Sequence, residues 1–363
     1  MILTEHNILH YLLNNDMITA EPVIKGEYSA RRNDSRNNNF IINREYEQYN
    51  YFIKQVKAND AEKIESLRVE AACYQLAEKD PQYKILQDFL PHFYKFDTVQ
   101  HILVTGLIKD AFSLQDHYMS AGDPGTTIAV QLAQLLASYQ TPIKPGDNKE
   151  EFTRFRKQMP WVFTIHHNNP EQWMGNAKTA EQQAMQLIFK NKEFVKQLGQ
   201  QEALWQPLSL VHNDIKFTNF LTNTDIAEKG PQFIKLIDWE LADIGDPIWD
   251  AASILHSYLM LWIGTDIPEQ QQYPGFRKFT LQQVQPACSE FWKAYVNAQV
   301  PGQDKAALLD KAIRFCAMKL VHTCFEYTPH TPTLQPVSVR VLQVASNILR
   351  SPSAAAFQLF SIQ

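Results

Sequence analysis

Three short apolar runs, residues 209–211, 220–221 and 233–237, stand as an island of β character inside a stretch that otherwise reads as helix. The last two runs are separated by a polar turn and pair as a hairpin. That pairing returns Asp238, which closes the third run, to the neighbourhood of Asn219, which precedes the second. The island therefore gathers polar residues that lie far apart in the chain.

The gathered residues carry a recognisable order. Val211-His212-Asn213-Asp214-Ile215-Lys216-Phe217-Thr218-Asn219-Phe220 contains H-x-D-x-x-x-x-N, and Leu236-Ile237-Asp238-Trp239-Glu240 follows the turn. Phosphoryl transfer needs one carboxylate at the acceptor hydroxyl, and a separate amide and carboxylate on the magnesium ions that bridge the nucleotide phosphates. Asp214 suits the first role, Asn219 and Asp238 the second. Taken singly, Asp214 and Asn219 also read as ordinary turn residues bonded to nearby backbone. A strand before His212, a hairpin after Asn219 and an aspartate closing an apolar strand occur together in the order the chemistry requires.

The rest of the chain divides at Asp110. Before it, β-type runs at 22–28, 40–43 and 49–56 predict an antiparallel meander, with the polar run 29–39 as a loop between the first two. Residues 61–79 lack Gly and Pro and place Leu67, Ala71 and Tyr74 at helical spacing, which predicts a helix followed by strands at 93–96 and 101–108. After Asp110 helices are expected at 128–138, at 180–198 and from Ile248 onward, broken by the loop 142–148 and by Pro160 and Pro170. The fold class is α+β with two lobes. With 45% hydrophobic residues among 363, the chain has the apolar material for both, which excludes disorder.

Charge and cysteines narrow the partners. A balance of 34 basic against 39 acidic residues leaves a formal charge of −5, so no positive field points to nucleic acid. Cys73, Cys288, Cys316 and Cys324 form no C-x-x-C pair and read as reduced core thiols. The N-terminus lacks a basic start, and the richest apolar run, around 251–263, is interrupted by His256 and Ser257. A cytoplasmic protein with no membrane partner is expected; oligomeric state is not legible.

Three segments together resemble the aminoglycoside phosphotransferase and choline kinase family of protein-kinase-like enzymes: His212-Asn213-Asp214 through Asn219, Ile237-Asp238-Trp239-Glu240, and Gly245-Asp246-Pro247-Ile248-Trp249-Asp250. The likeness is strong over 211–250 and weaker before it. It implies a bilobal protein-kinase-like fold: a nucleotide-binding N-lobe over residues 1–104 with an antiparallel sheet and one helix, a hinge at 105–109, and a mainly helical C-lobe over 110–363 with a catalytic β-hairpin. It implies ATP and Mg2+, with Asp214 as the catalytic base and Asn219 and Asp238 as metal ligands. His212 is expected to brace the loop, and Asp246 and Asp250 to cap a helix or brace the loop.

In the first lobe Lys54 ends the apolar run Tyr51-Phe52-Ile53, a position resembling that of the kinase lysine on the α- and β-phosphates. Glu70 falls on the apolar face of the 61–79 helix, where a carboxylate needs a cation, and Lys54 is the natural partner. The run 29–39 has no glycine, unlike the phosphate loop of protein kinases; there Ser35 and Arg36, with Arg31 and Arg32, are candidates for the phosphates or for an anionic acceptor. Thr105, Gly106 and Leu107 are expected at the adenine, and ATP is favoured over GTP only by the resemblance.

The resemblance implies a hydroxyl as acceptor. Asn213, where many protein kinases have arginine, and the missing A-P-E signature argue against activation-loop phosphorylation and for a constitutively formed site, unlike a regulated protein kinase, and a small molecule is the favoured acceptor. Lys216, two residues past Asp214, sits where serine/threonine kinases carry a lysine on the transferred phosphate. It supports the alternative of a precursor peptide, as in lanthipeptide-type biosynthesis. A pseudokinase and a metal-dependent hydrolase are the readings from other classes. Glu240, Asp243 and Glu326, with Trp249 and Trp292, are candidates to receive a cationic acceptor.

Overall fold

The structure, a computed structural model, describes residues 2–34, 38–44, 50–140, 150–169, 171, 179–223, 233–264, 277–298 and 304–363. Its N-terminal part is a five-stranded antiparallel sheet made of β1 (Tyr28–Asp34), β2 (Asn38–Arg44), β3 (Tyr51–Gln55), β4 (Phe93–Asp97) and β5 (Ile102–Gly106), in the order β1-β2-β3-β5-β4. Alternation along β3 decides what each face does. Tyr51 and Ile53, with Phe40, Ile42 and Val104, form a core with Leu3, Ile8, Tyr11 and Leu12 of the N-terminal segment, which contains helix α1 (Ile8–Asn14). Phe52 and Lys54, paired with Thr105 and Leu103, face the other way, towards helix α3.

The first strand differs from the sequence expectation. Residues Ala20–Ile24 form a short helix, α2, and the strand starts only at Tyr28. The polar run expected as a loop is mostly strand, with Tyr28 opposite Arg44 and Asp34 opposite Asn38. An edge ribbon is solvated, so its residues need not be apolar to pair, and the hydrophobic signal for a strand is lost there. Helix α3 spans Ala61–Lys79, as the spacing predicts, with Asp60 accepting the Lys63 N–H at 3.1 Å as its cap.

The larger part is mainly helical: α4 (Leu114–Ala121), α5 (Thr126–Tyr139), α6 (Ala180–Lys190), α7 (Lys192–Glu202), α8 (Pro247–Ile263), α9 (Leu281–Ala298), α10 (Lys305–Tyr327), α11 (Pro336–Arg350) and α12 (Pro352–Phe360). The single helix expected over 180–198 is two, because Asn191 turns its Oδ1 back to the Phe194 N–H at 3.1 Å and starts a new helix. Within this part β6 (Phe112–Ser113), β8 (Phe220–Thr222) and β9 (Lys235–Leu236) form one sheet, with β8 and β9 as the expected hairpin. β7 (Ser209–Val211) pairs with β10 (Asp243–Gly245), a strand too short for the sequence to reveal. A β-carbon at Gly245 would stand 2.6 Å from Val211 Cγ2, so glycine is what lets these strands approach under Trp205.

One continuous apolar core runs from α3 through α5, α8, α9 and α10 and includes Trp239 and Trp249. All four cysteines are buried in it as free thiols. Among the described residues no helix is long and apolar enough to cross a membrane. The arrangement is a bilobal, protein-kinase-like α+β fold, with two short helices beyond the one expected in the smaller lobe.

Candidate active site

Because β3 turns alternate side chains to its inner face, Lys54 points at α3, where Glu70 is buried on the facing side. Lys54 Nζ lies 2.7 Å from Glu70 Oε2 and 3.0 Å from Asp238 Oδ1, 184 residues further on. Burial opposes the lysine's charge, but the two carboxylates outweigh it and hold its pKa above the ordinary lysine value. For Asp238 burial acts to raise the carboxyl, and Lys54 more than reverses it, so Asp238 stays below its usual value. The charges are fixed by one another.

The segment after β7 is held from beneath. Asp250, fully buried in the first turn of α8, accepts the backbone N–H of His212 at 2.7 Å and of Asn213 at 3.0 Å, and the Tyr139 hydroxyl at 3.0 Å. Asp246 caps α8 by accepting the Ile248 N–H at 3.1 Å and pairs with Lys311 at 2.5 Å. His212 packs edge-on against Trp239 with ring centroids 4.7 Å apart, and its Nε2 is 2.9 Å from the Ile237 carbonyl. Burial drives the His212 pKa down, so the ring is neutral. Asn213 and Asp238 both adopt left-handed backbone, with φ of 66° and 67°, which these short polar side chains tolerate. Asp214 follows, and its Oδ2 is met by Lys216 Nζ at 2.6 Å and by Asn219 Nδ2 at 3.1 Å. Asn219 Nδ2 also donates to the Asp214 carbonyl at 2.8 Å, and the Asn219 carbonyl accepts the Ile237 N–H at 2.9 Å, which ties the two loops together.

A cavity of about 430 Å³ opens between sheet and hairpin. Lys54, Glu70 and Asp238 line it, and so do Thr105, Gly106 and Leu107. The N–H groups of Gly106 and Leu107 are already donated, to His92 O at 2.7 Å and Asn50 O at 2.9 Å, so a base there must find its backbone donors beyond Leu107. Ser35 and Arg36 lie outside the described residues. Arg31 and Arg32 are exposed on β1. Sequence reasoning missed Asn33 and Asn39, which line the cavity; Asn39 stands opposite Lys54, and strand pairing across that lysine is the signal that finds it.

A second cleft of about 390 Å³ adjoins the loop, lined among others by Asn213, Glu240, Trp161 and His322. Of the residues proposed for a cationic acceptor, Glu240 reaches this cleft, and burial followed by repulsion from Asp238 raises its pKa. Asp243 lines it too but accepts the backbone N–H groups of Lys157 and Gln158, at 2.7 and 2.8 Å. Trp249 borders the cleft but is buried in the core, and Trp292 is buried on α9. Glu326 pairs with His322 at 3.6 Å, and burial, which would raise it, is outweighed by His322, Lys319 and Lys216, which hold it well below the usual carboxylate range. Trp161, 46% exposed, carried no sequence signal because it lies after Pro160 in an irregular stretch.

A family model described as the phosphotransferase enzyme family matches residues 121–287, a span that contains the whole β7–β10 island. Over that span the chain is similar to phosphotransferases, and its fold is protein-kinase-like. Solved structures agree on that fold. An ethanolamine kinase from Plasmodium vivax superposes with a TM-score of 0.58 at 14% identity, over 96% of this chain and 88% of that one. A choline kinase from Cryptosporidium parvum gives 0.53 at 15%, over 97% and 96%. The gentamicin complex of APH(2")-IIa gives 0.50 at 16%, over 98% and 99%. No curated protein matches the chain.

Proposed function

We propose that this protein is a phosphotransferase that moves the γ-phosphoryl group of ATP to a hydroxyl of a small amine-bearing molecule. The observation that carries the reading is Lys54 held between Glu70 and Asp238, because it joins the sheet to the hairpin at the cavity where phosphates would lie. ATP would occupy the 430 Å³ cavity, with its base towards Thr105–Leu107 and its α- and β-phosphates on Lys54. Residues 1–104 then form the nucleotide lobe, 105–109 the hinge and 110–363 the acceptor lobe.

Asp214 orients the acceptor hydroxyl and takes its proton, and Lys216 balances charge as the phosphoryl group moves. The donor set at the hairpin fits Mg2+. Asn219 spends its Nδ2 on Asp214, which leaves the amide oxygen for a hard cation, and Asp238 offers the carboxylate oxygen not engaged by Lys54. Mg2+ held there would supply positive charge to the phosphate oxygens. The similar structures belong to proteins named for ethanolamine and choline and to a gentamicin complex, and their shared amine supports an amino alcohol here. The buried unpaired cysteines suit a reducing cytoplasm.

A peptide Ser or Thr is the second reading, favoured by the Lys216–Asp214 contact of 2.6 Å. Magnesium-dependent ADP release, measured against a pool of amino alcohols and aminoglycosides and a pool of Ser/Thr peptides, separates the two. Stimulation by the first pool, lost in Asp214→Asn with ATP binding retained, is expected. Stimulation by peptides alone would promote the second reading, and ADP release independent of any acceptor would make the protein a hydrolase.

A further inference from the structure

Away from this site, the 3-10 segment Trp161–His167 ends in two adjacent histidines that meet the last residue of α7. His166 Nε2 lies 3.3 Å and His167 Nε2 3.1 Å from the same oxygen, Glu202 Oε2, and the three candidate ligand atoms all fall within 4.8 Å of one another. Ligands about 2.0–2.1 Å from a tetrahedral zinc stand about 3.3–3.4 Å apart. The two histidine–glutamate separations are therefore already close to the edges of such a tetrahedron.

The surroundings look built for the rings. Val162, Phe163 and Ile165 are buried, so the segment's backbone is anchored and both histidines are presented from a fixed base. Gly199 lies inside α7, where helices disfavour glycine, and a β-carbon there would come within 2.9 Å of His166 Cδ2. The glycine makes room for the ring. His166 Nδ1 is buried without a hydrogen-bond partner, so no protein group on that side fixes its tautomer, and Nε2 is the nitrogen the ring brings to Glu202.

We infer that His166, His167 and Glu202 bind one Zn2+ ion, or a divalent cation of similar preference for imidazole, with water in the fourth position. Two imidazoles and a carboxylate suit zinc and disfavour magnesium and calcium, which seek all-oxygen shells. Bound metal would pin the C-terminal end of the 3-10 segment to α7. Trp161, at its other end, borders the cleft beside Asn213 and Glu240, so the pin would also steady that wall.

The test is a calorimetric Zn2+ titration of the full chain in excess Mg2+, comparing wild type with His167→Ala, Glu202→Gln and Gly199→Ala, with thermal unfolding of each protein with and without zinc. His167 is 59% exposed on its side chain, so its replacement should leave the metal-free melting temperature unchanged. Wild type is expected to bind one equivalent more than His167→Ala and to melt higher with zinc, a gain that Glu202→Gln loses. Gly199→Ala, whose methyl crowds the ring, is expected to bind at least tenfold more weakly. Equal zinc stoichiometry and affinity in wild type and His167→Ala would overturn the inference, as would no zinc binding by wild type.

Discussion

Lys216 Nζ stands 2.6 Å from Asp214 Oδ2, nearer than the 3.1 Å of the Asn219 amide to the same oxygen. The ammonium is thus already beside the carboxylate where the acceptor hydroxyl would meet the phosphoryl group. Burial works against its charge and Asp214 restores it, leaving the Lys216 pKa above the ordinary lysine value, so it stays cationic through neutral pH. Lys216→Ala is expected to lower kcat about 10- to 100-fold, with little change in the KM for ATP, because its charge acts on the moving group. Steady-state kinetics with the acceptor from the ADP-release assay check this; an unchanged kcat would return Lys216 to the status of a loop lysine.

Lys54 answers to two carboxylates at once, and removing it leaves Glu70 buried without its cation. Lys54→Met is expected to abolish transfer and to destabilise the fold by about 3–5 kcal/mol, the usual cost of breaking a buried pair from one side. The double variant Lys54→Met/Glu70→Leu removes the orphaned charge as well and should recover most of that stability while remaining inactive. Urea unfolding beside activity for the single and double variants separates the positioning role from the structural one.

Legibility followed burial. The hairpin, the α3 helix and the pair Lys54–Glu70 were readable because an apolar pattern carries each, and a charged residue out of place in such a pattern asks for a partner. β1 escapes because its residues are polar on a solvated edge, where nothing in composition separates strand from loop, whereas Phe40 and Ile42 reveal β2 beside it. β10 escapes because Ile244 is the one apolar residue of its three, unlike the equally short run 209–211. In the sequence Asp250 reads equally as a cap or a brace, since an aspartate in a first helical turn looks the same either way; the distances to His212, Asn213 and Tyr139 identify it as the support of the loop.

His256 gives the fold a specific acid sensitivity. Burial on α8, reinforced by Lys319 and His322 and opposed by Glu326, pushes its pKa from 6.5 down to about 3, and its Nε2 lies 3.0 Å from the Thr323 hydroxyl. The unfolded chain takes up a proton near pH 6.5 that the folded chain refuses, so this contribution is complete above pH 6.5 and is lost as pH falls from 6.5 towards about 3. At pH 5 the loss is about 2 kcal/mol. His256→Gln should therefore lose about 2 kcal/mol less than wild type between pH 7 and pH 5 in urea unfolding. Parallel slopes for the two proteins would show that the ring takes up its proton in the folded state as readily as in the unfolded one.

Asp250 holds the backbone of the segment that leads to Asp214 through the N–H groups of His212 and Asn213, the latter left-handed at φ 66°. In Asp250→Asn one carboxylate oxygen becomes an NH2 group that faces either the Asn213 N–H or the His212 N–H together with the Tyr139 hydroxyl, leaving a buried donor unanswered at about 1–3 kcal/mol. The loop then relaxes at Asn213, and Asp214, the next residue, moves with it. A fall in kcat of at least about tenfold, with ATP binding unchanged, is expected, since a misplacement of about 1 Å already costs that much or more. Tyr139→Phe removes only the third of the three bonds and should cost about 1 kcal/mol while keeping kcat near wild type. If the two variants lost stability and activity in the same proportion, Asp250 would be acting through general core stability rather than through the loop.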